Sequence, residues 1–323
     1  MTRMPSTPPT DTVQPCEPPT PASLAPTNGG ATSRRPPRKH YRDVLSGLTW
    51  QRIDFVHLVP QDVAGWPGFA GLLLRSALGR ALLETDASAA QALYSGATSL
   101  PWSLRPPALM EPGWLPGGTA LGWSVSLFGP AAALAPAVVA AAGRLRLHTS
   151  AASDPPAAPH LVDCRQYASS ALDVFAAEHN PASTMGARQP FVLRLQTPLD
   201  LKPPPGLASY GPDLVPTLPR LLRAVTAAIH AITGDTVDVP MAESPALRET
   251  RSTAPLAAGV HPFSISKARS GQYMRCEGIV GELVFAGPEA DAMAPWFALA
   301  RQLHLGRRRH YGFGIVSWDR AAD

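Results

Sequence analysis

The stretch LHLGRRRHYGFGIV (Leu303–Val316) joins an apolar, helix-like run to a strand-like run through a glycine-rich loop. Its glycines can adopt positive φ and let the backbone approach a ligand closely. Its three consecutive arginines are planar, permanently charged donors suited to phosphate oxygens. The side chains of His310, Tyr311 and Phe313 offer stacking faces, and a histidine can carry a proton near neutral pH. The stretch therefore predicts a loop that holds a nucleic-acid backbone, with RNA as the expected ligand.

The elements that surround this loop have the order expected of a ferredoxin-like domain. In chain order, the hydrophobic pattern of the second half predicts a strand at 191–197, a helix at 214–232 and strands at 264–269 and 278–285. A helix at 293–303 and a strand at 315–318 follow on either side of the loop. This β–α–β–β–α–β order is typical of the ferredoxin-like fold.

The first half of the chain repeats the plan less clearly. Alternation predicts strands at 52–59, 120–128 and 144–149, and helical spacing predicts helices at 69–83 and 131–142. Residues 161–164 are predicted as a final edge strand, and 86–117 as a loop-rich stretch. The predicted fold class is therefore α+β, with two tandem ferredoxin-like (RRM-like) domains over residues 43–185 and 186–323.

Residues 1–42 are predicted to be a disordered, proline-rich tail. Ten prolines fall within residues 1–39, among many threonines, serines and alanines. Such a segment buries too little apolar surface to offset the entropy lost on ordering. The whole chain of 323 residues has a net charge of +4, which suits an anionic partner without identifying it.

Several function classes find no support in the sequence. The three cysteines, Cys16, Cys164 and Cys276, lie far apart without CxxC spacing, so neither a zinc site nor a disulfide framework is expected. The apolar run 131–143 is shorter than the ~20 residues of a membrane span, and no secretory signal is visible. A cytoplasmic protein without membrane contact is expected. No GxxxxGK[ST] loop of a nucleotide hydrolase is present.

Four motifs, taken in order along the chain, resemble those of the Cas6-type CRISPR RNA-processing endoribonucleases of the RAMP superfamily. They are GFAGLLLRSALG at 68–79, LFGP at 127–130, LRLQTPLDLK at 193–202, and a longer set formed by KARSGQ at 267–272, GIVG at 278–281 and the glycine-rich loop. Two departures stand out: Ser76 replaces a usual glycine, and Arg307 to His310 replace a stretch with one basic residue.

This resemblance implies two facing ferredoxin-like domains and cleavage of CRISPR repeat RNA to mature crRNA without a metal or other cofactor. In that reaction the ribose 2′-hydroxyl attacks the adjacent phosphate, leaving a 2′,3′-cyclic phosphate and a 5′-hydroxyl. The chemistry needs a base, an acid and cations that stabilise the phosphorane. The implied partners are CRISPR repeat RNA, crRNA and other Cas effector subunits, with no membrane and no small-molecule cofactor.

The candidate catalytic residues are two histidines and one arginine: His57, His310 and Arg75. His57 shares one face of a predicted strand with Phe55 and Val59, so a buried, hydrogen-bonded core histidine is the competing interpretation. The candidate RNA-binding residues are basic, polar or glycine positions, for which an exposed surface without function is the alternative: Arg80, Lys267, Arg269, Ser270, Gln272, Arg275, Gly306, Arg307, Arg308, Arg309, Tyr311, Gly312 and Gly314.

Two other functions remain open. A non-catalytic RAMP subunit would bind guide RNA within a CRISPR effector complex. A general RNA-binding adaptor would show no preference for one repeat hairpin. Cleavage of the cognate repeat separates the first hypothesis from both, and the placement of the histidines relative to the glycine-rich loop bears on it directly.

Overall fold

The computed structural model describes residues 38–95, 100–149, 156–178, 190–201, 216–239, 259–267, 272–286 and 288–320. For 259–267, 272–277, 288–289 and 320 it describes the backbone alone. The predicted tail extends to residue 42, and residues 1–37 of it lie outside the described part. The described chain begins at Arg38, and a short strand and a helix already lie within the last residues assigned to the tail.

The first half contains the following elements, in chain order: β1 (Lys39–His40), α1 (Tyr41–Ser46), β2 (Thr49–Leu58), β3 (Val63–Trp66), α2 (Gly71–Thr85), α3 (Ala87–Tyr94), β4 (Trp102–Arg105), β5 (Gly113–Leu115), β6 (Ala120–Phe128), α4 (Ala135–Ala142), β7 (His160–Ser170) and α5 (Ala171–Glu178). The second half continues with β8 (Phe191–Leu199), α6 (Leu218–Thr233), β9 (Val237–Asp238), β10 (Gly259–Lys267), β11 (Gln272–Phe285), α7 (Pro288–Leu303) and β12 (Val316–Arg320).

Four antiparallel strands of the first half form one sheet in the spatial order β4-β6-β2-β7. This antiparallel sheet, covered on one side by helices, is the ferredoxin-like arrangement. Along β2 the side chains of Ile53 and Phe55 point to the buried face, where they pack with apolar residues of α2 and α4 such as Leu74 and Val138. The predicted fold of the first half is thus confirmed.

Three details of the first half differ from the prediction. Residues 144–149 do not form a strand: Leu145 and Leu147 are buried, which explains their alternation, but only Leu147 makes an isolated bridge, to Ala157. The position beside β2 is occupied by β7, which runs far beyond the predicted 161–164. The stretch predicted as loop-rich contains α3 and β4, and α3 begins where the Asp86 carboxylate accepts a hydrogen bond from the backbone of Ala89.

The second half forms an equivalent sheet in the order β10-β11-β8-β12, also antiparallel throughout. Its helices α6 and α7 lie close to their predicted positions. The ring of Phe191 on β8 stacks on that of Phe297 on α7, with centroids 5.0 Å apart. None of the helices in the described part of the chain is long and apolar enough to cross a membrane.

The second core also takes residues from the first half. Val44 and Leu45 of α1, together with Phe175 of α5, belong to the same buried cluster as the apolar side of α7. Phe175 contacts Trp296 edge to face, with ring centroids 5.1 Å apart. Because these contacts are apolar and extensive, the segments that flank the first sheet hold it to the second domain.

Candidate functional site

The loop between α7 and β12 takes its shape from glycines that no other residue could replace. Gly306 has φ of 76°, and a Cβ atom there would lie 2.4 Å from the carbonyl oxygen of Asp200. Gly314 has φ of 74°, and a Cβ atom there would lie 1.8 Å from the carbonyl oxygen of Leu305. Both positions combine a left-handed backbone with direct contact to another main chain, which only glycine tolerates.

The end of β8 forms a cradle for this loop. Thr197 Oγ1 accepts a hydrogen bond of 2.9 Å from the backbone N–H of Ile315. The carbonyl oxygen of Pro198 accepts one of 2.9 Å from Gly314, and that of Asp200 accepts one of 2.9 Å from Arg307. The TPLDLK motif and the glycine-rich loop, more than a hundred residues apart, are therefore two halves of one hydrogen-bonded unit.

The three consecutive arginines have different environments. Arg307 and Arg308 both donate to the carboxylate of Asp200, and Arg307 is the more exposed of the two. Arg308 has φ of 61°, and this left-handed turn sends the next side chain in another direction. Arg309 is buried, donates to the carbonyl oxygen of Leu303 at 3.3 Å and lies over the ring of Phe128.

Burial lowers the pKa of Arg309 to about 10, and the side chain faces the core. Arg309 was predicted to bind RNA, and its contacts instead anchor the loop to the protein. The side chains of its neighbours Arg307 and Arg308 remain partly exposed to solvent. Of the three arginines, these two reach the surface.

The loop is pressed against the first domain at the start of α2 and the end of β4. Phe313 packs edge to face on Phe69, with ring centroids 5.2 Å apart. A Cβ atom on Gly312 would lie 2.5 Å from Pro106 Cδ, so the loop backbone touches the residue that follows β4. A further link is the hydrogen bond of 2.9 Å from Arg105 Nη2 to the carbonyl oxygen of Arg301.

This contact brings Arg75 of the first domain to the aromatic side chains of the loop. The guanidinium carbon of Arg75 lies 4.4 Å from the ring centroid of Tyr311 and 4.8 Å from that of Tyr94. Both aromatic faces attract the cation. The buried Arg75 Nε has no hydrogen-bond partner among the described residues, so packing between the two rings, rather than an acid, holds this cation.

His310 belongs to the same group of side chains, which is called the cluster below and consists of Arg75, Tyr94, Trp102, His310 and Tyr311. His310 is half-buried, with its ring 4.4 Å from that of Tyr311 and 6.2 Å from that of Trp102, measured between centroids. Burial, and then the positive charges of Arg75, Arg309 and Arg308, lower the pKa of His310 to about 3. The imidazole is therefore neutral at physiological pH and has a lone pair that can accept a proton.

Together these groups bring a positive charge and a proton acceptor to the same tyrosine ring, that of Tyr311. A guanidinium such as that of Arg75 can stabilise an anionic transition state. A neutral imidazole such as that of His310 can accept a proton. The cluster is thus formed by side chains from the first domain and a loop from the second.

His57, predicted as a catalytic residue, lies in the core of the first domain. Its side chain is buried, its Nδ1 accepts a hydrogen bond of 3.0 Å from Trp123 Nε1, and its Nε2 donates one of 2.9 Å to the carbonyl oxygen of Ala142. Burial lowers its pKa, consistent with a neutral ring. Both ring nitrogens make hydrogen bonds within the protein, so neither can serve a substrate. His57 is therefore a buried, hydrogen-bonded core histidine, as the competing interpretation proposed.

The remaining predicted RNA-binding residues lie away from the cluster or outside the described residues. Arg80 is exposed on α2, where its charge contributes to lowering the pKa of His148. Lys267, Gln272 and Arg275 lie on β10 and β11 with only their backbones described, and Arg269 and Ser270 fall within the undescribed 268–271.

Sequence reasoning overlooked Asp200 and Tyr94 as parts of the site. Asp200 lay within the quoted TPLDLK motif, and its negative charge was the available signal. Tyr94 carried none, because it lies in the stretch predicted as loop-rich. Tyr94 reaches the site by donating a hydrogen bond of 2.9 Å to the carbonyl oxygen of Arg75, 19 residues earlier.

Comparison with known proteins finds one family model that matches part of the chain. Residues 193–316 match the model of the family described as CRISPR-associated endoribonuclease Cas6. The match covers β8 through the start of β12, so it includes both the cradle and the glycine-rich loop. No curated protein matches the chain at a significant level.

Solved structures show the same fold over most of the chain. One is Thermus thermophilus Cas6, with 14% identity and a TM-score of 0.52, covering 84% of this chain and 99% of that one. Another is a Cas6 product complex, with 18% identity, a TM-score of 0.53 and the same coverage. The second domain is therefore similar in sequence to the Cas6 family, and the chain shares its fold with solved Cas6 structures.

Proposed function

We propose that this protein is a metal-independent endoribonuclease that cleaves CRISPR repeat RNA into mature crRNA. The observation that carries the proposal is the meeting of Arg75, from the first domain, with His310 and Tyr311, from the loop of the second. A cation and a neutral imidazole at the contact between two ferredoxin-like domains suit the transfer of a phosphoryl group within RNA. The similarity of residues 193–316 to the Cas6 family supports RNA as the substrate.

In the proposed reaction, the 2′-oxygen forms a bond to phosphorus while the bond from phosphorus to the 5′-oxygen breaks. His310 takes the proton of the attacking 2′-hydroxyl, and the departing 5′-oxygen takes up a proton from water. The imidazolium of His310 then gives its proton back to the solvent, which restores the neutral ring. The products are a 2′,3′-cyclic phosphate and a 5′-hydroxyl. Arg75 stabilises the negative charge of the phosphorane, and its contacts with the rings of Tyr94 and Tyr311 hold the guanidinium in place.

Substrate binding improves His310 as a base. In the free protein, burial and three arginine charges keep its pKa at about 3. A bound phosphate opposes the arginine charges, so the pKa rises toward the range in which a histidine accepts a proton efficiently. The low pKa of the free protein is therefore compatible with a base that becomes effective only with RNA in the cleft.

The glycine-rich loop supplies the surrounding phosphate contacts. Arg307 and Arg308 present partly exposed side chains, and the ring of Tyr311 provides a face for stacking. Gly306, Gly312 and Gly314 let the loop backbone pack closely on the rest of the protein, which fixes the loop that carries these side chains. Arg80, Lys267, Arg269, Ser270, Gln272 and Arg275 are retained as proposed contacts to the rest of the repeat, whereas Arg309 and His57 are assigned to the protein interior.

One observation favours a second function, that of a non-catalytic subunit which binds guide RNA in an effector complex. His57 and His304 are both buried, and His310 has a strongly lowered pKa in the free protein. A cleft that holds RNA without an effective base would bind it and release it uncut.

The decisive experiment uses the full-length chain and repeat RNA transcribed from the neighbouring CRISPR array, in buffer that contains EDTA. We expect one cut and an upstream fragment that poly(A) polymerase extends only after its cyclic phosphate has been removed. A matched RNA with a single 2′-deoxynucleotide before the cut should remain intact. Cleavage of the deoxy substrate would overturn the 2′-hydroxyl mechanism, and tight binding without cleavage would establish the second function instead.

A further inference from the structure

Asp200 binds two neighbouring arginines of the loop with one buried carboxylate. Its side chain is 2% exposed, whereas those of Arg307 and Arg308 are 53% and 20% exposed. Arg307 donates to Oδ1 from Nη2 at 2.7 Å and from Nε at 3.2 Å, and Arg308 donates to Oδ2 from Nη1. Each carboxylate oxygen is therefore assigned to a different arginine.

The main chain reinforces this arrangement. The carbonyl oxygen of Asp200 accepts a hydrogen bond of 2.9 Å from the backbone N–H of Arg307, and Gly306 packs directly on the same carbonyl. The side chain and the backbone of Asp200 thus hold the same segment. An arginine held in this way has already lost rotamer freedom before any ligand binds.

The contacts favour a role for Asp200 in orienting the arginines. About half of the Arg307 side chain remains open to solvent, although Asp200 accepts hydrogen bonds from two of its nitrogens. A guanidinium fork that is fixed in direction recognises phosphates at a defined spacing. Freely moving arginines instead bind any polyanion through charge alone.

We propose that Asp200 is a positioning residue that fixes the orientation of Arg307 and Arg308 toward RNA phosphates, and so sets the preference of the loop for the folded repeat over unrelated RNA. This inference rests on the proposed function for its RNA ligand. It assigns Asp200 no contact with the reacting atoms.

The test compares Asp200→Asn with wild type in binding two RNAs of equal length, the repeat and an unrelated single strand. The amide keeps the volume of the carboxylate but loses its charge and one acceptor oxygen. We expect affinity for the repeat to fall about tenfold, while affinity for the unrelated strand stays constant or rises because the protein gains positive charge. An equal loss for both RNAs would overturn the proposal.

Asp319→Asn is the matched control. Asp319 also accepts from an arginine, Arg194, on the same sheet, but it is 63% exposed and pairs away from the loop. The substitution changes the net charge by the same amount and should leave the ratio of the two affinities unchanged. A similar change of the ratio in both variants would show that charge alone is responsible and would contradict the positioning role.

A second pair of substitutions covers the case in which Asp200→Asn does not fold. In the Arg307→Lys/Arg308→Lys protein Asp200 is intact and both charges remain, but the planar forks are gone. We expect this variant to lose the preference for the repeat while keeping its affinity for the unrelated strand. Retained preference would mean that the orientation of the guanidinium groups is irrelevant, and the proposal would fail.

The arginine Nε–H resonances in the NMR spectrum separate this inference from the proposed function. In wild type, the Nε–H proton of Arg307, which donates to Asp200 Oδ1, should exchange slowly with water, and in Asp200→Asn it should exchange fast. If wild type neither binds nor cuts the repeat, the proposed function fails, yet the resonances still decide whether Asp200 orients the arginines. Unchanged exchange in Asp200→Asn would refute the positioning role whatever the RNA result.

Discussion

The α-carbon of Gly71 lies against the carbonyl oxygen of Tyr311, so that a Cβ atom at position 71 would stand 2.0 Å from that oxygen. Gly71 opens the first long helix of the first domain, and Tyr311 lies in the loop of the second. The missing side chain therefore sets the distance between the two domains at the cluster that includes Arg75, His310 and Tyr311.

Replacing Gly71 with alanine should separate these elements. The added methyl group must displace the loop or the start of α2, at a cost of about 1–3 kcal/mol for an overpacked contact. We expect a lower melting temperature and a cleavage rate reduced about tenfold, because Arg75 and His310 move apart. Single-turnover cleavage and thermal unfolding measure the two effects.

Gly143→Ala serves as the control for this substitution. Gly143 has φ of −66°, and an added methyl group would come no closer than 3.5 Å to the carbonyl oxygen of Ala140. Its stability should stay within ~0.5 kcal/mol of wild type. Equal losses in the two alanine variants would show that the contact at Gly71 has no special importance.

Arg75→Ala should abolish most cleavage while leaving RNA binding largely intact. The guanidinium is proposed to stabilise the phosphorane, and removing one such group typically costs a factor of about 10²–10³ in rate. Arg75→Lys should restore only part of the rate, since an ammonium group lacks the planar stacking between Tyr94 and Tyr311. The measurement is the single-turnover rate at saturating protein.

Arg42→Ala provides a comparison of the same kind. Arg42 is exposed and also lies over a tyrosine ring, that of Tyr41, at 5.9 Å, but on α1 and apart from the loop. Its removal should leave the cleavage rate unchanged. A rate for Arg75→Ala equal to that of Arg42→Ala would exclude Arg75 from the reaction.

The pH dependence of cleavage should identify His310 as a base with an unusual pKa. The pKa in the free protein is about 3, so the ring is already neutral at every pH well above that value. Because kcat/KM reports the ionisation of the free enzyme, it should not fall between pH 8 and pH 5 on account of His310. An ordinary histidine base would lose activity below pH ~6.5.

His310→Ala should lower the rate about 10²–10⁴-fold across this whole range. A profile of the wild type with a midpoint near pH ~6.5 that disappears in His310→Ala would contradict the low pKa. Circular dichroism at each pH confirms that the protein remains folded during the assay.

The stability of the protein should fall as the pH drops below ~6.5, in part because of His304. This side chain is buried, and its surroundings, first by desolvation and then through the charges of Arg105 and Arg309, lower its pKa well below the ordinary value. Between the two pKa values the unfolded chain binds a proton that the folded chain does not. Stability is therefore complete above the unfolded pKa and decreases by about 1.4 kcal/mol per pH unit below it.

His304→Asn tests this linkage. Asparagine tolerates the positive φ of 60° at this position and removes the titrating ring. Urea unfolding at several pH values should give a shallower dependence on pH than wild type, whatever the change in stability at neutral pH. Parallel slopes in the wild type and in His304→Asn would rule out His304 as a source of the pH dependence.

The hydrophobic pattern was sufficient for most of the fold. Strict alternation in β8 and helical spacing in α6 and α7 predicted the second domain, because each element buries one face of regular period. The pattern failed where burial had another cause. Leu145 and Leu147 alternate like residues of a strand and are buried, but within the described residues only Leu147 pairs, in a single bridge to Ala157. The four residues of β4 are too few to show a period.

The glycine-rich loop was predictable as a feature, and its internal organisation was not. The sequence alone determined that Gly306, Gly312 and Gly314 would shape a tight turn rich in positive charge, because only glycine adopts those backbone angles freely. It could not distinguish among three adjacent arginines that share the same chemistry.

The tertiary structure decided which of these side chains face solvent and which face the core. Arg309 is buried against Phe128, whereas Arg307 and Arg308 are held at the surface by Asp200. In the same way, contacts with Trp123 and Ala142 keep His57 in the core, while Arg75 and Tyr311 come together from opposite domains. Burial and charge depend on neighbours that are distant along the chain, often by a hundred residues or more, which local sequence does not encode.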